Sequence, residues 1–489
     1  MGTALSETLT TTPVTAAPDN SARNRLVITL LLISTFVVFL NETLMGNAMP
    51  ALMEDLRISA SAAQWVTTAF LLTMAVVIPI TGFLLQRLNT RTVFITAMTL
   101  FTIGTLLAAA APGFELLIAA RVVQASGTAI MMPLLFTTVL TLVPMESRGR
   151  VMGNISIVIS VAPALGPLVS GLILGAFHWR FLFILILPIA IAALVLGAMR
   201  VPNVTEPSKT SIDVVSVILS AFGFGGLVFG LSNVGTAGIA SMQSWLPLAV
   251  GVGGIAAFIL RQLVLQKTDG ALLDLRTFKV RSFTFTVAML MISMMALFGT
   301  VILLPIFTQD VMGLDARTTG LILLPGGLLM GLLGPVVGRA FDRIGPRPLV
   351  ISGSIIVSSA LWGMTLLTAN AEIWMVLVAY TTLTLGLALL FTPLFTAGLG
   401  DIPPKLYSHG SAVVGTVQQL AGAAGVALFI TVMSATAGSR MAAGASEIAA
   451  TAAGIHTAFI YGAVISLVAI PLAFFIRRPT QVNEFSGGH

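Results

Sequence analysis

The sequence predicts an all-α protein that crosses a membrane many times. It is 57% hydrophobic and only 9% charged over 489 residues, with a mean hydropathy of +1.03. Soluble domains carry about a quarter charged residues, and disordered chains combine low hydrophobicity with high charge, so both classes are excluded. Since about 20 apolar residues form one spanning helix, the chain is long enough for many spans.

Apolar runs bounded by charge, Pro or Gly predict fourteen spans. They cover 26–47, 64–84, 92–111, 115–139, 151–175, 180–199, 213–233, 244–264, 283–306, 318–340, 348–368, 373–399, 409–435 and 455–476. The Ser-, Thr- and Pro-rich segment 1–25 is predicted to be a disordered cytoplasmic tail. It lacks the apolar centre of a signal peptide, so we expect no cleavage. Residues 479–489 form a second tail.

The positive charges indicate the orientation. With the termini inside, most of the 24 Lys and Arg residues fall in inner segments, as cytoplasmic loops require. Arg121 lies within a span, and the outer segments hold Arg57, Arg180, Arg317 and Arg440. We therefore predict a multi-pass protein of the cytoplasmic (inner) membrane with both termini in the cytoplasm. The same topology explains the net charge of +6 without a nucleic-acid partner.

Several kinds of chemistry have no support in the sequence. There is no Cys, and the four His residues are scattered, so neither thiolate nor imidazole metal spacing occurs. P-loop, H-E-x-x-H and G-x-S-x-G motifs are absent as well. We expect no metal, no cofactor and no enzymatic activity. A membrane-embedded enzyme or a lipid-handling protein is the alternative from a different class.

Two inner loops share the spacing G-x3-[Q/D]-R-x3-R. The loop after the second span has Gly82, Gln86, Arg87 and Arg91, and the loop after the tenth has Gly338, Asp342, Arg343 and Arg347. If spans seven and eight are an insertion, these loops hold equivalent places in two six-helix halves, 26–199 and 283–478. The two additional helices then occupy 200–270. An amphipathic cytoplasmic linker, 271–282, is predicted to lie on the inner membrane surface.

A carboxylate and a guanidinium are predicted at similar depths inside the membrane. Glu42 follows Asn41 in the first span, about 24 Å from the inner face by helical rise, and Arg121 lies about 9 Å below the outer face, three residues before Gln124. Because intramembrane ionisable groups are usually functional, this placement favours a common site for protons or substrate. A fixed ion pair between the two helices is the alternative.

The fifth span combines small residues with proline. Gly153, Gly166 and Gly171 would let neighbouring helices approach, and Pro167 would bend the helix. The pattern is consistent with a hinge between the halves. Ordinary small-residue packing is an equally open interpretation.

These segments together resemble the major facilitator superfamily, in its fourteen-helix drug:proton antiporter branch. The inner-loop motif G-x-L-x-D-R-x-G-R-[RK] is matched at Gly338, Asp342, Arg343, Gly345 and Arg347, whereas the first copy departs at Gln86 and Asn89. The motif R-x-x-Q-G-x-G appears as Arg121-Val-Val-Gln124-Ala125-Ser126-Gly127. The antiporter motif G-x8-G-x3-G-P-x2-G-G appears at Gly153, Ala162, Gly166, Pro167, Ser170 and Gly171. Asn41-Glu42 and the first inner loop are similar to lincomycin-resistance-type exporters within the branch.

The resemblance implies the major facilitator fold and proton-coupled efflux of amphipathic drugs or antibiotics by alternating access. It implies that Glu42, Arg121, Asn41 and Gln124 couple protons to substrate and that the glycines of span five act as a hinge. Asp342, among Arg339, Arg343 and Arg347, would hold spans ten and eleven closed on the inner side.

The expected partners are a small amphipathic substrate, protons and membrane lipids. We expect a monomer, with an adaptor protein left open. The nearest alternative function is export of an endogenous metabolite, amino acid or lipid.

Overall fold

A computed structural model of the chain describes residues 21–204, 212–238, 241–368 and 371–478. Most of the predicted tail 1–25 and all of the tail 479–489 lie outside these residues. Fourteen helices are long and apolar enough to cross a membrane, which confirms the predicted number. Each predicted span corresponds to one of these helices, although the fifth, thirteenth and fourteenth helices begin several residues earlier than predicted.

The spanning helices are numbered in chain order. They are α1 (Ala22–Leu44), α2 (Ala62–Arg87), α3 (Thr90–Ala109), α4 (Phe114–Leu142), α5 (Met145–Leu174), α6 (Phe181–Arg200), α7 (Val214–Val234), α8 (Met242–Thr268), α9 (Arg281–Val311), α10 (Arg317–Ile344), α11 (Pro346–Met364), α12 (Ile373–Gly400), α13 (Pro404–Ala442) and α14 (Glu447–Ala473). A short helix, Met49–Leu56, lies between α1 and α2.

The helix contacts relate two six-helix halves, α1–α6 and α9–α14. The second helix of each half packs against the fifth helix of the other, so that α2 contacts α13 and α10 contacts α5. The two loops with the shared glycine–arginine spacing follow α2 and α10, which are these equivalent second helices. Internal repetition therefore governs the packing as well as the sequence.

Glycines set the distance between α5 and α10. A Cβ atom at Gly338 would lie 2.1 Å from the carbonyl oxygen of Gly149, and one at Gly153 would lie 2.3 Å from the carbonyl oxygen of Gly334. No side chain fits at such separations, so the two backbones touch directly. Small residues commonly allow this approach between membrane helices, where apolar burial gives no driving force for association.

The two inserted helices form a hairpin beside one crossing of the halves. α7 and α8 meet closely, because a Cβ atom at Gly254 would lie 2.7 Å from the backbone nitrogen of Gly223. α7 in turn packs against α2 and α13. The hairpin thus lies on the α2–α13 side of the molecule, outside the two six-helix halves.

The first half of the linker after α8 packs inside the protein. The prediction that the linker lies on the inner membrane surface was therefore wrong for these residues. Leu272 and Leu273 are 1% and 4% exposed, so they pack inside the protein. The cause lies in α8, where the buried Gln262 accepts hydrogen bonds from the backbone nitrogens of Leu272 at 2.8 Å and of Leu273 at 3.3 Å. Phe278 stays exposed, in the one short 3-10 helix of the segment, Leu275–Lys279.

An ionic cluster ties together loops at the opposite end of the first half. Asp55 in the short helix accepts hydrogen bonds from Trp179 Nε1 at 2.9 Å and Arg180 Nη1 at 3.0 Å, and His178 Nε2 lies 3.1 Å from its other oxygen. Arg180 also donates to the carbonyl of Ala111 at 2.7 Å. On the predicted outer side, Asp55 therefore joins two loops of the first half, and Arg180 joins them to the third at Ala111.

The Asp55 cluster makes stability depend on acid pH. Hydrogen bonds from Trp179 and His178 hold the pKa of Asp55 at about 2, below its ordinary 3.8. A lowered carboxyl pKa adds stability that is complete above 3.8 and is lost as the pH falls through about 2. We expect Asp55→Asn to lower thermal stability at pH 7 by no more than about 1 kcal/mol, since the group is partly exposed.

The measurement is thermal unfolding of the purified protein across this pH range. The gap between Asp55→Asn and wild type should close as the pH approaches 2. Asp310→Asn, at an exposed carboxylate in the last turn of α9, serves as the control and should match wild type throughout. A gap of constant size down to pH 2 would show that the carboxylate charge is not what stabilises these loops.

Candidate functional site

Arg121 lies fully buried in α4 and holds three helices together. Its Nη1 donates to Gln124 Oε1 at 2.6 Å and to Asn41 Oδ1 at 3.4 Å, and its Nε donates to the carbonyl of Val66 at 3.4 Å. The guanidinium carbon lies 4.0 Å from the centre of the Phe70 ring. A buried cation needs such partners, because leaving it unpaired in an apolar region is very costly.

Gln124 is oriented by α3. It lies three residues after Arg121 and therefore on the same helix face. Its Nε2 donates to Thr105 Oγ1 at 2.8 Å, which turns its carbonyl oxygen toward the guanidinium. The approach of α3 requires glycine, since a Cβ atom at Gly104 would lie 2.5 Å from the backbone nitrogen of Gln124. The motif spacing thus positions one acceptor oxygen for Arg121.

Glu42 lies beside this network without being bound to it. Its Oε2 is buried and has no hydrogen-bond partner, and Nη2 of Arg121 has none either. Within the described residues no ion pair joins Glu42 to Arg121. The two side chains are nevertheless close enough to interact electrostatically. The fixed ion pair between α1 and α4 is therefore not the arrangement found. Both groups keep hydrogen-bonding capacity for another partner.

Asp342 closes a different contact from the one predicted. Its carboxylate accepts hydrogen bonds from the backbone nitrogens of Gly149 at 2.8 Å and Arg150 at 2.9 Å. Both lie in the first turn of the regular α-helix of α5, which begins at Arg148 after a short 3-10 turn. The expectation that it pairs with neighbouring arginines to hold α10 against α11 was wrong. The first turn of a helix presents unpaired N–H groups and a partial positive charge, which bind a carboxylate without any basic side chain.

The basic residues predicted for the inner gate do not converge on Asp342. Arg343 is exposed, and Arg347 lies 5.9 Å from the centre of the Phe474 ring. The backbone nitrogen of Arg91 donates to Asn203 Oδ1 at 3.4 Å, and Arg87 is the last residue of α2. Among the described residues, the arginine side chain that donates to Asp342 is that of Arg478, whose Nη2 binds the backbone carbonyl of Asp342 at 2.6 Å.

The first copy of the loop faces the equivalent helix of the other half. Gln86 Nε2 donates to the carbonyl of Lys405 at 3.0 Å, at the start of α13. A Cβ atom at Gly82 would lie 3.1 Å from His409 Nδ1, also in α13. The repeated glycine and the repeated polar residue therefore both contact the fifth helix of the opposite half, in each of the two crossings.

The halves are in contact at this end of the bundle. Thr137 Oγ1 in α4 donates to Ser411 Oγ in α13 at 3.2 Å, and Ser156 in α5 lies 2.6 Å from Thr392 Oγ1 in α12. The rings of Phe136 and Phe395 are 5.1 Å apart and buried. In the predicted orientation, the structure is closed toward the cytoplasm.

Comparison with known proteins agrees with this arrangement. Residues 31–426 match the family described as Major Facilitator Superfamily. The chain belongs to the major facilitator superfamily. Members of this superfamily are transporters built from repeated six-helix units near whose interface substrate binds, so this chain is a multi-pass transporter.

Similar superfamily members cover nearly the whole chain. The MFS-type transporter YcnB of Bacillus subtilis is 43% identical over 94% of this chain and 97% of its own length. The lincomycin resistance protein LmrB of Listeria monocytogenes is 40% identical over 92% of this chain and 96% of its own. The crystal structure of the human organic anion transporter MFSD10 superposes with a TM-score of 0.67 at 15% identity, covering 92% of this chain and 99% of that one, which supports the fold.

Two of the three glycines predicted to matter in α5 lie where a side chain would clash. Gly153 meets α10, and a Cβ atom at Gly166 would lie 2.1 Å from Thr43 Oγ1, next to Glu42 in α1. Gly171 is different, because nothing lies within 4 Å of a Cβ built there, so its predicted role in close packing was wrong. The side chain of Pro167 lies outside the described part of α5.

Arg148 was not singled out by sequence reasoning, which counted it among the inner-loop charges. It is only 8% exposed, and it donates to the carbonyls of Val143 at 3.0 Å and Leu140 at 2.7 Å and to the Tyr407 hydroxyl at 3.3 Å. It lines a cavity of about 620 Å3 with the first turn of α13. A charge at the end of a hydrophobic run gives no sequence signal of burial.

Gly166 should be required for transport while Gly171 is not. Gly166→Leu would force α1 away from α5 beside Glu42, and such overpacking costs about 1–3 kcal/mol or more. We expect the variant to insert but to lose transport. Gly171→Leu, on the same helix with open space around it, is the matched control. The measurement is the transport rate of vesicles that contain equal amounts of each variant. Equal transport rates for Gly166→Leu and Gly171→Leu would contradict the packing argument.

Removing the Asp342 charge should open the inner end of the bundle. Asp342→Asn keeps the shape but loses the attraction to the first turn of α5, which contributes about 0.3–1 kcal/mol and up to about 2 in a buried setting. Because the chain has no Cys, a single Ser411→Cys change in the buried gate can report opening by maleimide labelling. We expect Asp342→Asn to label about fivefold faster.

Glu447→Gln, at an exposed carboxylate in the first turn of α14, is the control for this charge change and should leave the labelling rate unchanged. If Asp342→Asn labels at the wild-type rate, the carboxylate does not hold the gate.

Proposed function

We propose that this transporter exports amphipathic drugs or antibiotics, including lincosamide-like compounds, across the cytoplasmic membrane in exchange for protons. The observation that carries the proposal is the buried Glu42 carboxylate, which has a free oxygen beside the Arg121 network. The 40% identity to a lincomycin resistance protein over 92% of the chain supports the substrate class. Both chain termini lie in the cytoplasm in this proposal.

Glu42 is the group that exchanges the proton. Burial favours the neutral acid, whereas the nearby guanidinium of Arg121 favours the carboxylate. The two effects oppose each other, so the charge of Glu42 depends on what else occupies the space next to it. A cationic substrate arriving from the inside favours the carboxylate and expels the proton. A proton arriving from the outside restores the acid and weakens the hold on the cation.

Arg121 keeps its own charge throughout this exchange. Its contacts to Gln124, Asn41 and Val66 supply hydrogen-bond acceptors that are present whether or not Glu42 is ionised. The free Nη2 remains available to the carboxylate when no cation is bound. Asn41 links the two charges, because it accepts from Arg121 and is the neighbour of Glu42 in the chain.

One carboxylate is enough to drive useful export. Exchange of one proton for one monovalent cation moves no net charge across the membrane, so the pH gradient drives it. One pH unit corresponds to about 1.36 kcal/mol, which sustains about a tenfold gradient of the cation. No second acid in the membrane is needed for this balance.

Alternating access uses the two crossings between the halves. In the closed arrangement described above, Asp342 binds the first turn of α5 and Gln86 binds the first residues of α13. Opening toward the cytoplasm breaks both contacts and separates the glycine surfaces of α5 and α10. Each half moves as a packed unit, because the contacts within a half do not have to change.

Glu42→Gln tests the proton site. The amide keeps the size and hydrogen bonding of the side chain but cannot release a proton, so we expect transport driven by a pH gradient to be abolished while part of the substrate binding survives. The measurements are proton release on adding lincomycin to purified protein and pH-driven uptake in inside-out vesicles. Glu54→Gln, at an exposed carboxylate in the short helix after α1, is the control.

Two results would overturn the proposal at different points. Wild-type proton release by Glu42→Gln would place the coupling elsewhere and leave Glu42 as a structural neighbour of Arg121. Proton release with an amino acid or lipid, but with no drug or dye, would replace the substrate class by an endogenous compound and leave the coupling site intact.

A further inference from the structure

The two inner crossings are equivalent in position but differ in their chemistry. At the α5–α10 crossing, the Asp342 carboxylate binds two N–H groups in the first turn of α5. At the α2–α13 crossing, Gln86 occupies the corresponding position of the loop motif and donates to a carbonyl instead. The regular α-helix of α13 begins at Tyr407, after a short 3-10 turn, and no side chain of the described residues caps it by a hydrogen bond. The first turn of this helix therefore accepts no carboxylate comparable to Asp342 at α5.

A cavity of about 620 Å3 opens at this uncapped end. It is lined by the first turn of α13, including Ser408 and His409, by Gln86 from α2 and by Arg148 from α5. The N–H groups at the start of a helix attract anions through their hydrogen-bonding capacity and the helix dipole. A helix start alone is common in proteins, so the nature of the other lining residues decides what the cavity binds.

Arg148 supplies the second, independent indication of an anion. The side chain is 92% buried, being 8% exposed, and its Nη1 has no hydrogen-bond partner. Buried polar atoms are rarely left unpaired in native proteins, and a guanidinium suits phosphate and carboxylate oxygens by its planar geometry.

The acidic residues of the cavity do not neutralise Arg148. Asp269 and Asp274 also line it, but both are bound to Arg276, the latter at 2.9 Å. Among the ion pairs of the described residues none includes Arg148 or Lys405. Lys405 influences Asp269 only through its longer-range charge. The cavity therefore keeps an excess of positive charge next to the start of α13.

We propose that this cavity binds a phosphate group, held by Arg148, Lys405 and the first turn of α13, which completes at the α2–α13 crossing what the Asp342 carboxylate completes at the α5–α10 crossing. The bound anion joins α5 to α13 and so stabilises the arrangement that is closed toward the cytoplasm. The phosphate belongs either to a soluble cytoplasmic compound or to the headgroup of an anionic lipid. The site lies apart from Glu42 and does not depend on the transported substrate.

Thermal unfolding of the full-length protein in neutral detergent tests the site. We expect inorganic phosphate to raise the melting temperature of wild type, compared with chloride at equal ionic strength. Lys405→Gln removes one charge, and since hydrogen bonds to charged groups contribute the most, the phosphate concentration for half of the effect should rise about tenfold. Lys279→Gln, an exposed lysine of the linker outside the cavity lining, is the matched control and should respond like wild type.

A variant that supplies the anion within the chain gives an independent test. Gln86→Asp places a carboxylate where the other loop has Asp342. We expect it to melt higher than wild type without phosphate and to gain little on adding phosphate. Arg148→Gln should lose the phosphate response, and Gln86→Asp keeps the test decisive if Arg148→Gln fails to fold.

Lipid vesicles distinguish the two sources of phosphate. Protein in phosphatidylcholine is compared with protein in phosphatidylcholine plus phosphatidylglycerol. A lipid headgroup is the ligand if phosphatidylglycerol stabilises wild type and removes the response to added phosphate. A soluble compound is the ligand if the response stays the same in both. The proposal is overturned if neither anion stabilises wild type more than chloride does, or if Gln86→Asp responds to phosphate as fully as wild type.

Discussion

Burial of the Arg121 guanidinium is the constraint on which the first half of the molecule depends. An arginine at the centre of a membrane helix costs about 2.5–3.5 kcal/mol on insertion scales, and the side chain here is fully buried. The cost is offset only if acceptors from other helices reach it, which brings Asn41 of α1, Val66 of α2 and Gln124 of α4 together. α3 then has to approach closely enough to orient Gln124, and it does so at Gly104.

The same constraint explains why Glu42 is left unbound. The acceptors for Arg121 are neutral amides and a carbonyl, so the guanidinium is solvated by the protein without consuming the one nearby carboxylate. A direct ion pair would satisfy both groups and would be strongly resistant to change, because breaking a buried pair costs several kcal/mol. Because its acceptors are neutral, Arg121 lies close to Glu42 without fixing the carboxyl group in one protonation state.

Much of the fold was predictable, because a membrane imposes a simple rule. Each span needs about 20 apolar residues, and charges such as Glu42 and Arg121 stand out against them, so both the fourteen helices and the pair of buried charges follow from the sequence. The contacts of the individual side chains could not be predicted from the sequence. Asp342 binds backbone N–H groups, which every residue except proline provides and no motif reveals.

Two residues of the same type can have different surroundings because they face different sides of a helix. Gly166 faces α1 and Gly171 faces outward on the same helix, and composition does not distinguish them. The linker was predicted from its alternating charges and apolar residues, yet one buried amide ten residues earlier, Gln262, draws Leu272 into the protein. Arg148 was hidden for a similar reason, since its carbonyl partners come from the end of the preceding helix.

The two crossings between the halves differ in the strength of their direct contacts. Asp342 makes two charge-assisted hydrogen bonds to α5, whereas Gln86 makes one neutral bond to α13. Hydrogen bonds to charged groups contribute about 1.5–3 kcal/mol and neutral ones about 0.5–1.5 kcal/mol, so the α2–α13 crossing is the weaker of the two by its own polar contacts. It is also the crossing against which α7 packs. The two inserted helices therefore add contacts beside the crossing whose loop has Gln86 where the other loop has Asp342, and whose own polar contact is the weaker of the two.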